Sequence, residues 1–359
     1  MYAFLLNPTA GGGRAARVWT ALESELRRRG LRYELLVGRD AHDAYALAQE
    51  AARSKDVDTI VAVGGDGTLS LAANALLNRS PLSAAGICEA IDVAVSTTST
   101  AESRPALGLI PAGSGNDVSR TFQLPKNPIA ALDRLLSAPG RAIDIGRLRL
   151  FGDIPAFENG IGRSQNADTP DERTVYFFGF AGVGIDAAVV DAVEALAFKK
   201  RFSRLAYALG VFRALSAFRP FRASIVLEDG VLGLDGVWLI IFANIPFFGG
   251  GMHIAPGAAV DDGFFDLITV SGLDRMGFLR AFPSVFRGRH VHHPAVTVRR
   301  GRRAVLTLDE RGTFGQEAAN GVLLGRPQAV GVGLERDGER ETACTLIVDV
   351  MPKAVRFRA

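Results

Sequence analysis

The stretch that most restricts the fold is an apolar run, Thr59-Ile60-Val61-Ala62-Val63, that stops at Gly64-Gly65-Asp66-Gly67-Thr68. The run has no charged residue and reads as a strand buried on both faces, as in a parallel sheet. Leu69 to Leu77 then reads as the start of a helix. A glycine-rich turn between a strand and a helix N-terminus lets the backbone approach an anion, with free N–H groups and the helix dipole facing it. Asp66 is the unusual member. A carboxylate among phosphates repels them unless a cation such as Mg²⁺ lies between, or unless it orients the nucleotide. The plainer alternative is a tight turn with Asp66 as the helix N-cap, since short glycine motifs often arise by chance.

The same grammar occurs twice more. Tyr2 to Leu6 is a short apolar strand that runs into Asn7-Pro8-Thr9-Ala10-Gly11-Gly12-Gly13. The helix after it carries Val18, Leu22 and Leu26 on one face and stops at Gly30. Arg32 to Val37 reads as a strand and Ala41 to Ser54 as an Ala-rich helix. Leu107 to Ile110 reads as a strand ending in Pro111-Ala112-Gly113-Ser114-Gly115-Asn116-Asp117, a third small-residue turn that opens a helix. Ser114 and Asn116 can hydrogen-bond phosphate or ribose oxygens, and Asp117 either caps its helix or faces the acceptor. Alternating strands and helices predict an α/β domain with a parallel sheet, and ligands in such sheets bind at the carboxyl ends of the strands. All three turns lie at that edge.

After Gly140 the pattern changes. Ile143/Ile145, Val175/Phe177, Ile225/Leu227, Val237/Leu239/Ile241, Phe265/Leu267, Val296/Val298 and Leu306/Leu308 alternate as in antiparallel strands. We therefore expect an α/β nucleotide-binding domain over 1–140, rejoined by the tail 352–359, and an antiparallel β-sandwich over 141–351. Residues 80–105, 160–173 and 311–326 read as loop insertions, the last within a departure spanning 304–331. One helical stretch, 185–218, interrupts the strands. Lys199, Lys200, Arg201, Arg204, Arg213, Arg219 and Arg222 lie on or beside it, as on a helix resting on an anionic membrane or on a solvated surface helix. The charge-free run from Gly236 to Val260 is long enough to span a bilayer, but Pro246, Pro256 and Gly249-Gly250-Gly251 interrupt it. A net charge of +3 argues against a nucleic-acid-binding field. Two cysteines, Cys88 and Cys344, make neither a disulfide framework nor a metal knuckle and suit a reducing cytoplasm. Met1 to Leu6 is too short and uncharged for a signal peptide. His253, His290, His292 and His293 lack a Cys or carboxylate framework and read as loop or surface.

Five motifs in order give the chain a family resemblance. They are Asn7-Pro8 with its glycine run; Gly64 to Thr68; Pro111 to Asp117; Gly249-Gly250-Gly251 leading to Ala255-Pro256 and Asp261-Asp262-Gly263; and Asp337-Gly338-Glu339 followed by Pro352-Lys353-Ala354-Val355. The chain resembles the diacylglycerol kinase catalytic family, which includes sphingosine and ceramide kinases, and looks most like its small bacterial members. The resemblance implies Mg²⁺-dependent transfer of the ATP γ-phosphoryl group to a lipid hydroxyl, most readily diacylglycerol, in a cleft between the two domains. It puts the nucleotide contacts on Asn7, Pro8, Thr9, Ala10 and Gly11, on Gly65, Asp66, Gly67, Thr68, Leu69, Ser70 and Leu71, and on Ser114; Gly64, Asn116 and Asp117 of the same turns complete the expected nucleotide site. Ser114 stands where the family usually has Thr, and the family's polar contact after the second strand falls near Gly38, which has no side chain to make it. The family's structural Mg²⁺ maps to the Asp262 side chain with the carbonyls of Ala259 and Phe264.

The family's base lies in the Asp-Gly-Glu segment. A lipid hydroxyl attacks well only when a carboxylate takes its proton. Asp337 and Glu339 would share one side of an extended strand; Glu339 is the expected base, with Asp337 assisting or binding metal, or the roles exchanged. Asp309-Glu310 is a rival pair without the middle glycine. The expected partners are ATP, a lipid at a membrane surface and, as an open alternative, a homodimeric copy; nucleic acid is not among them. The expected site of action is cytoplasmic and peripheral to the membrane. Two other readings remain at this level: a kinase with a soluble acceptor, since NAD kinases and phosphofructokinases share the Gly-Gly-Asp-Gly turn, and a non-catalytic lipid-binding protein on the same scaffold.

Overall fold

The structure is a computed structural model that describes residues 1–78, 105–151, 172–186, 215–309, 332–337, 339–343 and 345–359. Cys88, Cys344, Gly338, Glu310, the basic residues from Lys199 to Arg213 and nearly all of the expected insertions lie outside the described residues.

The first domain has four parallel strands, β1 (Tyr2–Leu6), β2 (Tyr33–Leu36), β3 (Thr59–Gly64) and β4 (Ala106–Pro111), in the order β4-β3-β1-β2. Helices α1 (Ala10–Arg28), α2 (Ala41–Arg53), α3 (Asp66–Leu77), α4 (Asp117–Thr121) and α5 (Pro128–Ser137) connect and cover them. Successive strand residues face opposite sides. Ala3, Leu5, Ile60, Ala62, Leu107 and Leu109 pack with α2 and α3. Phe4, Leu6, Val61, Val63 and Ile110 pack with Trp19, Leu22 and Leu26 of α1 and Leu132 and Leu135 of α5. Burial on both faces is why these strands read as continuous apolar runs.

The second domain is antiparallel. Its strands are β5 (Arg141–Phe151), β6 (Glu172–Phe177), β7 (Phe180–Gly184), β8 (Phe221–Leu227), β9 (Gly230–Ala243), β10 (Phe265–Ser271), β11 (Val296–Gly301), β12 (Arg303–Asp309), β13 (Val332–Arg336), β14 (Glu339–Ala343) and β15 (Thr345–Arg358). Leu148, Leu150, Val175, Phe177, Ile225, Leu267, Leu306 and Val348 meet in its interior. The other face of β9 and β10 is covered by residues 245–256, by α6 (Arg275–Ala281) and by 3-10 turns at Phe282–Arg287 and Arg289–His292. The alternation expected through Val237, Leu239 and Ile241 breaks. Val237 faces the interior, whereas Leu239 and Ile241 face the cover. The pairing skips Trp238, with Val270 opposite Leu239 and Ser271 opposite Val237, and such a bulge reverses the side-chain faces.

The hydrogen-bonded ladder runs through both domains. β15 pairs antiparallel with β5 and β12, and its end, Phe357 and Arg358, pairs parallel with Leu107 and Gly108 of β4. The register shifts between Met351 and Val355, and Lys353 there is left-handed, with φ 50°. Asp144 of β5 stabilises this kink. Its carboxylate accepts from the backbone N–H of Lys353 at 2.7 Å and of Gly263 at 2.6 Å. No helix of the described residues is long and apolar enough to cross a membrane.

Helix α3 ties the domains together. Asn74 Nδ2 donates to the Tyr176 carbonyl at 2.8 Å, and the Tyr176 N–H donates back to Asn74 Oδ1 at 2.9 Å. Arg336 Nη1 reaches Ser70 Oγ and the same carbonyl, both at 3.0 Å. Asn74 is buried, so Asn74→Ala strands polar groups away from water. It should lower the unfolding free energy by about 1–3 kcal/mol, read as a lower midpoint in thermal or urea unfolding.

Candidate active site

Three turns leave β1, β3 and β4 at the carboxyl edge of the parallel sheet, and their backbones touch. A Cβ on Gly113 would lie 2.3 Å from the Gly65 Cα, and one on Gly11 would lie 2.2 Å from the Ala112 carbonyl oxygen. Gly11 also has φ +59°, so both space and backbone conformation exclude a side chain there. Ala112 N donates to the Gly64 carbonyl at 2.6 Å, and Asn7 N donates to that of Val63 at 3.3 Å. Arg14 Nε donates to the Ala112 carbonyl at 3.3 Å, and its Nη2 donates to that of Gly113. Asn7, Thr9 and Ser114 stand exposed on this rim, while Pro8 and Ala10 are half-buried beside them. Thr68 is buried under Gly64.

Asp66 joins two of the turns. Gly65, not Asp66, is the N-cap of α3. The Asp66 carboxylate reaches sideways to the start of α4, accepting from the N–H of Asp117 at 3.0 Å and of Val118 at 3.1 Å. Asn116, left-handed at φ 57°, is the N-cap of α4, which frees the Asp117 side chain. Asp117 accepts from Arg120 Nη1 at 2.6 Å and from Gly250 N, in the second domain, at 2.8 Å. Burial, together with the Asp66 charge, pushes Asp117 above the usual carboxylate range, while Gly250 N–H and Arg120 oppose the rise. A chain of contacts thus runs from the glycine turn through two carboxylates to the Gly249-Gly250-Gly251 loop.

The Asp-Gly-Glu segment is not one extended strand. β13 ends at Arg336, Asp337 turns left-handed at φ 47°, and Glu339 opens β14 opposite Arg336. The strands on either side of Asp337 pair antiparallel as a hairpin, so the segment does not run on as one strand. That turn lies against the carboxyl edge of the parallel sheet, where a Cβ on Gly67 would be 3.8 Å from the Asp337 carbonyl oxygen. The Asp337 side chain points inward. It accepts from the N–H groups of Phe178 at 2.6 Å, Gly179 at 2.9 Å and Phe180 at 3.0 Å. Burial raises its pKa, opposed by those N–H groups and by Arg336. Asp309, of the rival pair, ends β12 across from Arg222.

Asp262 lies at a different place, beside the β15 kink. Phe264 N donates to its Oδ1 at 3.0 Å, and Arg300 pairs with its Oδ2. Asp144, Asp261 and Asp266 crowd the same region, with Arg141 on Asp261 and Arg300 also 3.6 Å from Asp266. Burial, with the Asp262 charge, pushes Asp266 up to about 6, and its Oδ2 is buried without a partner. Burial likewise raises Asp144. Hard oxygens short of positive charge suit Mg²⁺. Among the described residues no three Asp, Glu, His or Cys side chains converge on a metal position. The histidines are not all at the surface. His290 is buried, its Nε2 2.9 Å from the Ile254 carbonyl oxygen, and burial lowers its pKa.

Arg14, Asp144, Arg336 and Asn244, whose Nδ2 donates to the carbonyls of Asp144 at 2.9 Å and Phe178 at 3.0 Å, are structural parts of the site that sequence reading overlooked. Asp144 alone left a trace, a carboxylate between two apolar residues, Ile143 and Ile145.

A parallel α/β domain with three phosphate-type turns, facing an antiparallel sandwich whose loops reach those turns, defines a two-domain kinase architecture. Comparison with known proteins agrees. Residues 1–148 match the diacylglycerol kinase catalytic domain, and residues 179–359 match the YegS C-terminal NAD kinase beta sandwich-like domain. A diacylglycerol kinase of Mycobacterium tuberculosis (strain ATCC 25618 / H37Rv) is 31% identical over 83% of this chain and 82% of its own length. A diacylglycerol kinase of Bacillus subtilis (strain 168) is 27% identical over 79% of this chain and 78% of its own. The crystal structure of a diacylglycerol kinase from Bacillus anthracis str. Sterne shares the fold, with TM-score 0.60 at 16% identity over 99% of this chain and 96% of that one. The chain belongs to the diacylglycerol kinase-like family of lipid kinases.

Asp337→Ala would strand three buried N–H groups. It should cost about 3 kcal/mol or more, and Asp337→Asn, which keeps an acceptor oxygen, should cost less. Urea unfolding of both variants reads the difference.

Proposed function

We propose that this protein transfers the γ-phosphoryl group of ATP to the hydroxyl of a lipid, diacylglycerol being the best-supported acceptor, with Mg²⁺ as the cation. The observation that carries this reading is the approach of the Asp337 hairpin to Gly67, which brings an acidic segment of the second domain to the phosphate edge of the first. The names of the relatives favour diacylglycerol over a soluble acceptor.

In this reading Asn7 to Gly11, Gly64 to Thr68, Ser114 and Asn116 receive the nucleotide, with turn N–H groups and the α3 dipole toward its phosphates. Asp66 and Asp117 hold the two turns in one arrangement through the Asp117, Val118 and Gly250 N–H groups. When bound, Mg²⁺ neutralises charge developing on the transferred phosphoryl group. A structural ion would be held by Asp262 with the Ala259 and Phe264 carbonyls. Glu339 takes the proton from the lipid hydroxyl as it attacks. Asp337 acts as a positioning residue. Its buried carboxylate fixes the hairpin that opens the strand of Glu339.

The direct test is transfer of labelled phosphate from ATP to diacylglycerol, with sphingosine, ceramide, phosphatidylglycerol and NAD in parallel. Label on NAD alone would replace the lipid reading with a soluble-acceptor one, and label on none would favour a lipid-binding role. Glu339→Gln should lower turnover ~10²–10⁴-fold with little change in ATP binding, and Glu310→Gln should leave it near wild type. The reverse result would move the base to the other acidic pair. Asp66→Asn should cost ~10²-fold or more in turnover while losing only about 1 kcal/mol of stability with its helix-capping charge. Near-wild-type turnover in that variant would remove the nucleotide site from this turn.

A further inference from the structure

The face formed by α6 and the two 3-10 turns after it is unusual in both apolarity and charge. Met276, Leu279 and Phe286 are 53%, 39% and 55% exposed. They are three of the seven large apolar side chains exposed among the described residues, gathered in one short segment. Arg275, Arg280, Arg287, Arg289 and His292 are interleaved with them and also exposed. From Arg275 to Leu308 the chain has no Asp or Glu. Arg275 donates to the Phe218 carbonyl at 3.4 Å, and among the described residues Arg280, Arg287 and Arg289 form no ion pair with a carboxylate.

The apolar tips are rigidly mounted. Phe286 meets the Phe282 ring edge-on at 6.0 Å, Phe282 stacks on Phe278 at 6.2 Å, and Phe278 stacks on the buried Trp238 at 4.7 Å. The element is also bonded to the loop that enters the cleft. His253 N donates to the Val285 carbonyl at 3.0 Å, and His290 holds the Ile254 carbonyl at 2.9 Å. That loop also carries Gly250, whose N–H reaches Asp117.

We propose that this face is the surface by which the protein rests on an anionic lipid bilayer. Apolar tips ringed by arginines insert at the headgroup boundary while the guanidinium groups meet lipid phosphates. A second copy is the less suitable occupant. A two-fold contact would set each copy's arginines against the other's, and the one carboxylate on the segment, Asp274, already accepts from the Gly277 N–H at 2.7 Å. The inference rests on the lipid-kinase reading for its purpose, but binding can be measured without turnover.

The test uses the full chain and sedimentation with phosphatidylcholine vesicles, with and without phosphatidylglycerol. Wild type should pellet with the anionic vesicles and stay free with the neutral ones, and salt should weaken binding. M276S/L279S/F286S should bind roughly 100-fold more weakly, and R280Q/R287Q/R289Q should also lose roughly 100-fold at low salt. The arginine variant removes only exposed charge and should melt as wild type does, so it stands alone if the apolar variant misfolds. Wild-type binding by the folded arginine variant overturns the proposal. So does a wild-type dimer in light scattering that either variant turns into monomer, which would hand the face to a second copy. Turnover on detergent-dispersed short-chain diacylglycerol separates the two readings. Lost vesicle binding with unchanged turnover supports both. Lost vesicle binding in a protein that never phosphorylates diacylglycerol keeps the surface and ends the substrate reading.

Discussion

The structure depends on two glycine backbones in contact. Gly65 and Gly113 lie in the turns that follow the neighbouring parallel strands β3 and β4, and a Cβ on Gly113 would collide with the Gly65 Cα. That approach lets Asp66 reach the first N–H groups of α4. A carboxylate at a helix N-terminus satisfies donors that have no partner within the helix and also meets the positive end of the dipole. The rim at the carboxyl edge of the sheet is therefore assembled from three remote chain segments without a large side chain between them. Its rigidity comes from backbone contact, and its chemistry is left to N–H groups and a few small polar side chains.

The second domain is coupled to this rim by hydrogen bonds to and from backbone groups rather than by apolar packing alone. Gly250 N donates to Asp117, Arg336 spans Ser70 and Tyr176, and Asn74 exchanges two bonds with Tyr176. Directional bonds of this kind set the relative position of two lobes more narrowly than area burial does. In a transferase the gap between donor and acceptor sites is the quantity that such bonds govern.

Much of this was legible in the sequence. Strands buried on both faces announce themselves as uninterrupted apolar runs, which is why β1, β3 and β4 and their glycine turns could be read directly. The antiparallel strands were readable by alternation, except at Trp238, where a bulge reverses the faces and no local signal marks it. The hairpin at Asp337 was read as one strand, because a non-glycine residue at positive φ has no composition signature. Nor does the sequence reveal that Asp337 faces inward, since its three N–H partners lie over 150 residues away. His290 read as surface for a related reason: its burial is decided by the remote loop at Ile254.

Strand β15 has a consequence for how the chain reaches this state. It completes the parallel sheet by pairing Phe357 with Leu107, 250 residues apart by subtraction (357 − 107). Until that strand arrives, β4 presents an open row of amide and carbonyl groups, a template for pairing with another chain. A fragment cut at the domain junction would carry the same bare edge. The parallel α/β lobe is thus a folding unit that borrows its last strand from across the molecule. Contacts of such long sequence separation slow folding and prolong the exposure of that edge during it.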